Sequence, residues 1–255
     1  MTADATPHLE VRHLTMAYGS NVIMNDLSFG IKRGDVFVIM GGSGCGKSTL
    51  MRHLIGLQEP ASGEIFFNGD NFSTATQDRR TEMLQHFGVM YQSGALWTSL
   101  TLAENVALPL KEFSPLSAKE IDAIARYKLA LVGLAGYEGY YPSEISGGMV
   151  KRASIARAMA LDPEVLFLDE PSAGLDPITS RLLDDLILQL RDSLGTTTVI
   201  VTHELASIFA VADNAVFLDV ATRTLGAIGN PNELRDHSEN PRVRQFLNRL
   251  ANPNP

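Results

Sequence analysis

The segment Gly41-Gly42-Ser43-Gly44-Cys45-Gly46-Lys47-Ser48, with Thr49 behind it, has the composition and order of a loop that holds a polyphosphate. Glycines let successive backbone N–H groups turn inward around a β-phosphate, and a helix N-terminus adds positive potential. Lys47 would reach the β- and γ-phosphates, and the Ser48 hydroxyl would bind Mg²⁺. The pattern carries meaning only between a strand and a helix. Both are expected here, because a short apolar run covers residues 36–40 and a helical pattern follows the loop. An ordinary glycine-rich turn does not account for that context.

Three further segments end in groups that suit the same chemistry. Val165-Leu166-Phe167-Leu168 runs into Asp169 and Glu170. An acidic residue at the end of a buried strand is costly unless paired or metal-bound. Asp169 is placed to hold Mg²⁺ and Glu170 to polarise an attacking water; without the phosphate loop, a plain acidic strand end would be the better reading. The apolar run at 198–202 leads straight to His203, whose neutral imidazole could bond a γ-phosphate or hold a water and Glu170 in line. The other histidines, His53 and His86 among them, lack such a setting. Finally, Ser143-Glu144-Ile145-Ser146-Gly147-Gly148-Met149 precedes a helical run over 150–160. Ser146 reads as an N-cap, and Gly147 and Gly148 let a phosphate approach the backbone. Lys47 already serves the phosphates, so a second anion site points to a head-to-tail homodimer in which each subunit completes the other's nucleotide site.

Patterning shows what must position these groups. Residues 9–31 alternate as half-buried strands do, and Ile65-Phe66-Phe67 followed by Asn68-Gly69 signals a hairpin. The runs at 36–40, 165–168 and 198–202 do not alternate, which predicts central strands of a parallel sheet covered on both faces. Ligands bind at the carboxyl ends of such strands, so three strands deliver their chemistry to one edge. Between 92 and 160 the strand signals fade. A helix is predicted over 117–132, with Ile121, Ile124, Tyr127, Lys128 and Leu131 on one face. The expected organisation is an α/β core with a β subdomain (1–91 and 161–230), an inserted helical subdomain (92–160), and a C-terminal helix and tail (231–255). In the last part, Val243, Phe246, Leu247 and Leu250 form a stripe expected to dock on its own subunit, and 252–255 reads as disordered.

Bulk properties narrow the function classes. The 255 residues are 45% hydrophobic and 20% charged, enough apolar chain for a packed core. A net charge of -8 argues against a nucleic-acid partner, since no large positive field exists to release counterions. No apolar run approaches the roughly 18 residues that span a bilayer, and no secretory signal opens the chain, so a membrane role is expected through a partner. The single cysteine fits a reducing cytosol. Cys45 itself has two readings. Lys47 and the helix N-terminus would favour its thiolate and a lowered pKa; alternatively it is a small apolar filler beneath the loop.

Taken in order, the phosphate loop, Gln92, the Ser-Gly-Gly segment, Asp169-Glu170, Ser172-Ala173-Gly174-Leu175-Asp176 and His203 resemble the nucleotide-binding domain of ABC ATPases, over about residues 9–225. The resemblance implies a P-loop NTPase (RecA-like) α/β core with an antiparallel β subdomain and an inserted α-helical subdomain. It implies ATP and Mg²⁺ as ligands, and hydrolysis coupled to an integral membrane permease at the cytoplasmic face of a bacterial inner membrane. By the same resemblance Tyr18 stacks on adenine, and Gln92 touches Mg²⁺ and the attacking water. Ser146 and Gly148, with Gly147 between them, contact the γ-phosphate held by the opposite subunit, and Asp176 connects the two sites.

Ile145 and Met149 stand where the family usually has leucine and glutamine. Ser-Gly-Gly-Met with Lys151-Arg152, the stretch Gln92-Ser93-Gly94-Ala95-Leu96-Trp97, and Pro241-Arg242-Val243-Arg244-Gln245-Phe246-Leu247 are similar to the ATPases of Mla-type phospholipid transporters. That similarity implies phospholipid as cargo, in maintaining membrane lipid asymmetry, with an MCE-domain lipid-binding protein and a small STAS-domain protein as further partners. Rival readings are an ATPase for amino-acid import or lipoprotein release, or a soluble ABC protein acting on DNA or ribosomes. A regulator without turnover is disfavoured by Glu170. Trp97 either lines the groove that receives the permease or packs within the helical subdomain.

Overall fold

The computed structural model describes residues 6–248. Alternation at the N-terminus produces β1 (Leu9–Tyr18) and β2 (Asn21–Ile31), which pair antiparallel. They join β4 (Ser62–Phe67) and β5 (Asp70–Asn71) in a four-stranded sheet of order β2-β1-β4-β5. The turn between β4 and β5 carries positive φ at both Asn68 (53°) and Gly69 (85°), the conformation that the Asn-Gly pair favours.

The second sheet holds β3 (Val36–Met40), β6 (Phe87–Met90), β7 (Val165–Asp169), β8 (Thr197–Val201), β9 (Asn214–Asp219) and β10 (Thr224–Gly229). Its order is β10-β9-β3-β8-β7-β6, parallel except for β10. The non-alternating runs are buried on both faces, as expected. In β3, Val36, Val38 and Met40 pack with the helices, while Phe37 and Ile39 pack toward the first sheet and α1 (Lys47–Leu54). In β7, Leu166 and Leu168 take the first face and Val165 and Phe167 the second.

The other helices are α2 (Gln77–Leu84), α3 (Leu102–Phe113), α4 (Ala118–Leu131), α5 (Gly147–Ala158), α6 (Pro177–Leu194), α7 (Leu205–Val211), α8 (Pro231–His237) and α9 (Pro241–Leu247). Capping boxes start α3 (Thr101, Glu104) and α4 (Ser117, Glu120). On α4 the buried face consists of Ile121, Ala125, Lys128 and Leu129, with Tyr127 exposed. The expected stripe is therefore displaced: Ala125 is small but faces the core, and Tyr127, about 200° further round the helix, faces away from it. On α9, Val243 and Leu247 are buried in the chain's own core, and the Phe246 ring lies 5.3 Å from that of Phe217. Leu250 and residues 252–255 lie outside the described residues.

Candidate functional site

The phosphate loop joins the end of β3 to α1. Gly46, the N-cap of α1, has φ 94°, and a Cβ there would lie 2.9 Å from Cγ2 of Ile23, so only glycine fits. Side chains cap α3 to α6, but none caps α1, which leaves its first-turn N–H groups for an anion. Gly42 and Gly44 face open space. Lys47 is buried, and its Nζ donates to the carbonyls of Gly41 (3.0 Å) and Gly42 (3.1 Å), which keeps the ammonium at the loop.

Cys45 takes the filler position. It is 1% exposed, and its Sγ would meet a Cβ on Gly41 at 2.7 Å. Burial pushes the thiol pKa up, and the opposing charge of Lys47 is the smaller influence. The lowered-pKa reading is thus overturned; desolvation beneath the loop wins over the nearby cation.

Opposite the loop, β7 delivers Asp169, which accepts a hydrogen bond from Ser48 Oγ at 3.4 Å. Burial, then the charge of Glu170, pushes the Asp169 carboxyl up. Glu170 has φ 46°, a left-handed conformation costly for a non-glycine residue, held by its N–H donating to Val201 O at 2.8 Å. The turn sends its side chain toward the loop. Oε1 lies 2.7 Å from Nδ1 of His203, whereas Oε2 is buried with no protein partner. Such an orphaned oxygen is expensive unless a ligand group satisfies it. Glu170 lines a cleft of about 590 Å³ together with Ser43–Thr49, Gln92, His203 and the hairpin residues Asn21 and Ile23.

The oxygen donors near Ser48, Asp169 and Gln92 suit a hard cation such as Mg²⁺. Among the described residues no set of three or more His, Cys, Asp or Glu could hold a metal alone, so phosphate and water oxygens would complete any such site. Tyr18 is half-exposed at the end of β1, and its hydroxyl donates to Gln58 Oε1 at 3.0 Å. Thr49 foremost, and Arg52, hold that hydroxyl below the ordinary phenol pKa. Tyr18 flanks the cleft without lining it.

Ser146, Gly147, Gly148 and Asp176 lie outside the cleft. Ser146 caps α5, its Oγ accepting from Met149 N–H at 3.3 Å. Gly147 is open, but a Cβ on Gly148 would meet Thr179 Cγ2 at 2.4 Å, so this glycine accommodates α6 of its own chain. Asp176 caps α6 through Ile178 and Thr179 N–H (3.0 and 3.1 Å) and accepts from Thr179 Oγ1 at 2.5 Å. Trp97 does not pack inside the helical region. Its backbone is tied to Asn105, while the side chain stands 63% exposed.

Sequence reasoning missed Asn21 and Ile23, which no local pattern marks, and the roles of Lys151 and Arg157. Arg157 donates to the carbonyls of Ala95 (2.6 Å) and Gly94 (3.1 Å), pinning the loop that follows Gln92.

A profile of the ABC transporter family matches residues 24–173. The chain is 39% identical over 243 residues to the intermembrane phospholipid transport system ATP-binding protein MlaF of Escherichia coli K12, spanning 95% of this chain and 89% of that protein. It is 41% identical over 240 residues to the probable ribonucleotide transport ATP-binding protein mkl of Mycobacterium tuberculosis, covering 94% and 66%. Its fold matches a dimeric post-hydrolysis state of the ATP-binding cassette MJ0796 bound to ADP and Pi, with TM-score 0.78, 27% identity and coverage of 87% and 98%. It also matches cbiO1 from Clostridium perfringens, part of the transporter complex cbiONQ, with TM-score 0.83, 27% identity and 96% of each chain covered.

Proposed function

Because this chain belongs to the ABC transporter family as an ATP-hydrolysing cassette, we propose that it drives a separate permease that moves phospholipid, acting as a head-to-tail homodimer. The observation that carries the hydrolytic assignment is the buried, unpartnered Oε2 of Glu170, a residue that lines one cleft together with the phosphate loop. Oε2 accepts the proton of the attacking water, and His203 fixes the carboxylate through Oε1. Lys47 and the N–H groups of residues 41–49 take the β- and γ-phosphates. Ser48, Asp169 and Gln92 would hold Mg²⁺, which when bound would supply charge neutralisation on the phosphate oxygens. Tyr18 offers a ring face to the adenine. Ser146, Gly147 and Gly148 serve the partner's nucleotide, with Asp176 linking the two sites.

The domain reading follows from these roles. The core with its β subdomain (1–91 and 161–230) binds ATP, the 92–160 insertion carries Ser146, and in the C-terminal part (231–255) α8 and α9 brace the core. Among the described residues no helix is long and apolar enough to cross a membrane. We place the chain at the cytoplasmic face of the membrane, held there by the permease.

For the cargo, the relative named for phospholipid transport and the Ser-Gly-Gly-Met segment with Lys151-Arg152 support lipid. An MCE-domain protein and a small STAS-domain protein would complete the assembly. The test is purification of the chain from its own membranes in mild detergent, with mass spectrometry of proteins and lipids. Copurification of a permease and an MCE-domain protein with bound phospholipid is expected. A permease bringing a polar solute-binding protein and no lipid would overturn the cargo.

A further inference from the structure

Lys151 lies on α5, five residues past Ser146, and is buried. Its Nζ donates to the backbone carbonyl of Gln92 and, at 3.2 Å, to that of Glu170. Burial depresses its pKa, while the charges of Asp169 and Glu170 act the other way. A buried ammonium is costly, and here its donors are spent on the main chain of the two segments that carry the cleft amide and the water-polarising carboxylate.

The surroundings make this cation a rigid link. A Cβ on Gly94 would meet Ser154 Oγ of α5 at 2.6 Å, so the loop after Gln92 lies directly on the helix. Arg157, also on α5, holds that loop at Gly94 and Ala95. The loop is thus hung from α5 at three carbonyls, and Lys151 extends the attachment to Glu170. The Glu170 carbonyl also accepts from Ala173 N–H at 3.2 Å, so it is not orphaned when the lysine goes.

We propose that Lys151 is a positioning residue for hydrolysis. It sets Gln92 and Glu170 in register with the helix that Ser146 begins, through hydrogen bonds to the main chain of both. The inference rests on the hydrolytic role of Glu170 stated above. Displacing a group by about 1 Å can cost about 100-fold in rate. Most of the groups that bind ATP, Lys47 and the loop N–H groups among them, share no hydrogen bond with Lys151.

The test is steady-state phosphate release by the full-length protein, with KM for ATP and the melting temperature measured alongside. Lys151→Met keeps the chain's bulk and removes charge and donors. Its kcat should fall roughly 10- to 100-fold, with KM within about 3-fold of wild type. Lys151→Arg, which keeps a cation and its donors, should recover most of kcat. Should the Met variant fail to fold, Lys151→Gln is read in the same assay with the same expectation. A neutral variant with a lowered melting temperature and unchanged kcat below it makes Lys151 a structural brace and overturns the proposal. So does an Arg variant no better than Met. A wild-type protein that releases no phosphate would sink the hydrolytic reading instead, which keeps the two failures apart.

Discussion

His203 Nδ1 stands 2.7 Å from Oε1 of Glu170, and the second oxygen of that carboxylate is buried with no protein partner. One oxygen is therefore held and the other left for a ligand. Glu170→Gln keeps the size and a carbonyl oxygen for His203 but cannot accept the water's proton. ATP affinity should stay within a few-fold while turnover falls about 10²- to 10⁴-fold, leaving a dimer closed around ATP. Nucleotide binding, single-turnover hydrolysis and size-exclusion chromatography check this. A single-turnover rate near wild type removes Glu170 from the role.

The trans arrangement of Ser146 is tested by mixing. Lys47→Ala should weaken nucleotide binding itself, since it deletes the ammonium at the loop. Ser146→Ala should spare binding but also lose a cap worth about 1 kcal/mol, so its melting temperature is followed as a control. A mixed dimer of the two variants contains one site with both halves intact, and its hydrolysis should exceed that of either parent. Heterodimers that form yet show no gain would count against independent trans sites.

Met149 packs against the core and offers no polar group to a ribose hydroxyl. Hydrolysis of ATP and 2′-deoxy-ATP should therefore show kcat/KM values within a few-fold of each other. A penalty of tenfold or more, about 1.4 kcal/mol, would show that another side chain reads the ribose.

Cys45 should resist alkylation in the native protein, because its thiol is buried against Gly41 and its pKa is pushed up. Maleimide treatment followed by mass spectrometry should find it unmodified, with ATPase activity retained. Rapid labelling that Mg-ATP blocks would reverse this assignment.

Local pattern carried the sequence reading where chemistry is local. The phosphate loop, Asp169-Glu170 and His203 each follow a strand that its own apolar run announces, and parallel strands 3, 7 and 8 bring them to one edge. What stayed hidden depends on contacts distant in the chain. Lys151 reaches a carbonyl 59 residues away, and no periodicity could say so. The close approach of Thr179 of α6 to Gly148 was hidden in the same way, since the two lie 31 residues apart in the chain. For Cys45 the neighbouring charge was visible in the sequence and the burial was not, and burial is the stronger influence.

Asp184 on α6 supplies a pH signature. It is 4% exposed, and Ser207 Oγ donates to its Oδ2 at 3.1 Å. Burial pushes its carboxyl up to about 6, against the smaller pull of the Ser207 bond and the charge of Arg181. The unfolded chain releases the same proton near pH 3.9. Between those values the folded state binds more protons than the unfolded one, so stability falls as pH rises through about 4 to 6. Above about 6 the whole cost of the buried charge is present, on the order of 2–3 kcal/mol. Asp184→Asn abolishes the titration and keeps an oxygen for Ser207. At pH 7.5 the variant should melt higher than wild type by roughly 5 °C. At pH 5, where much of the wild-type carboxyl is protonated, that advantage should shrink by about half. Calorimetry at both pH values decides it: an Asn variant less stable at pH 7.5, or an advantage that does not change with pH, would show that the Asp184 proton does not set this stability.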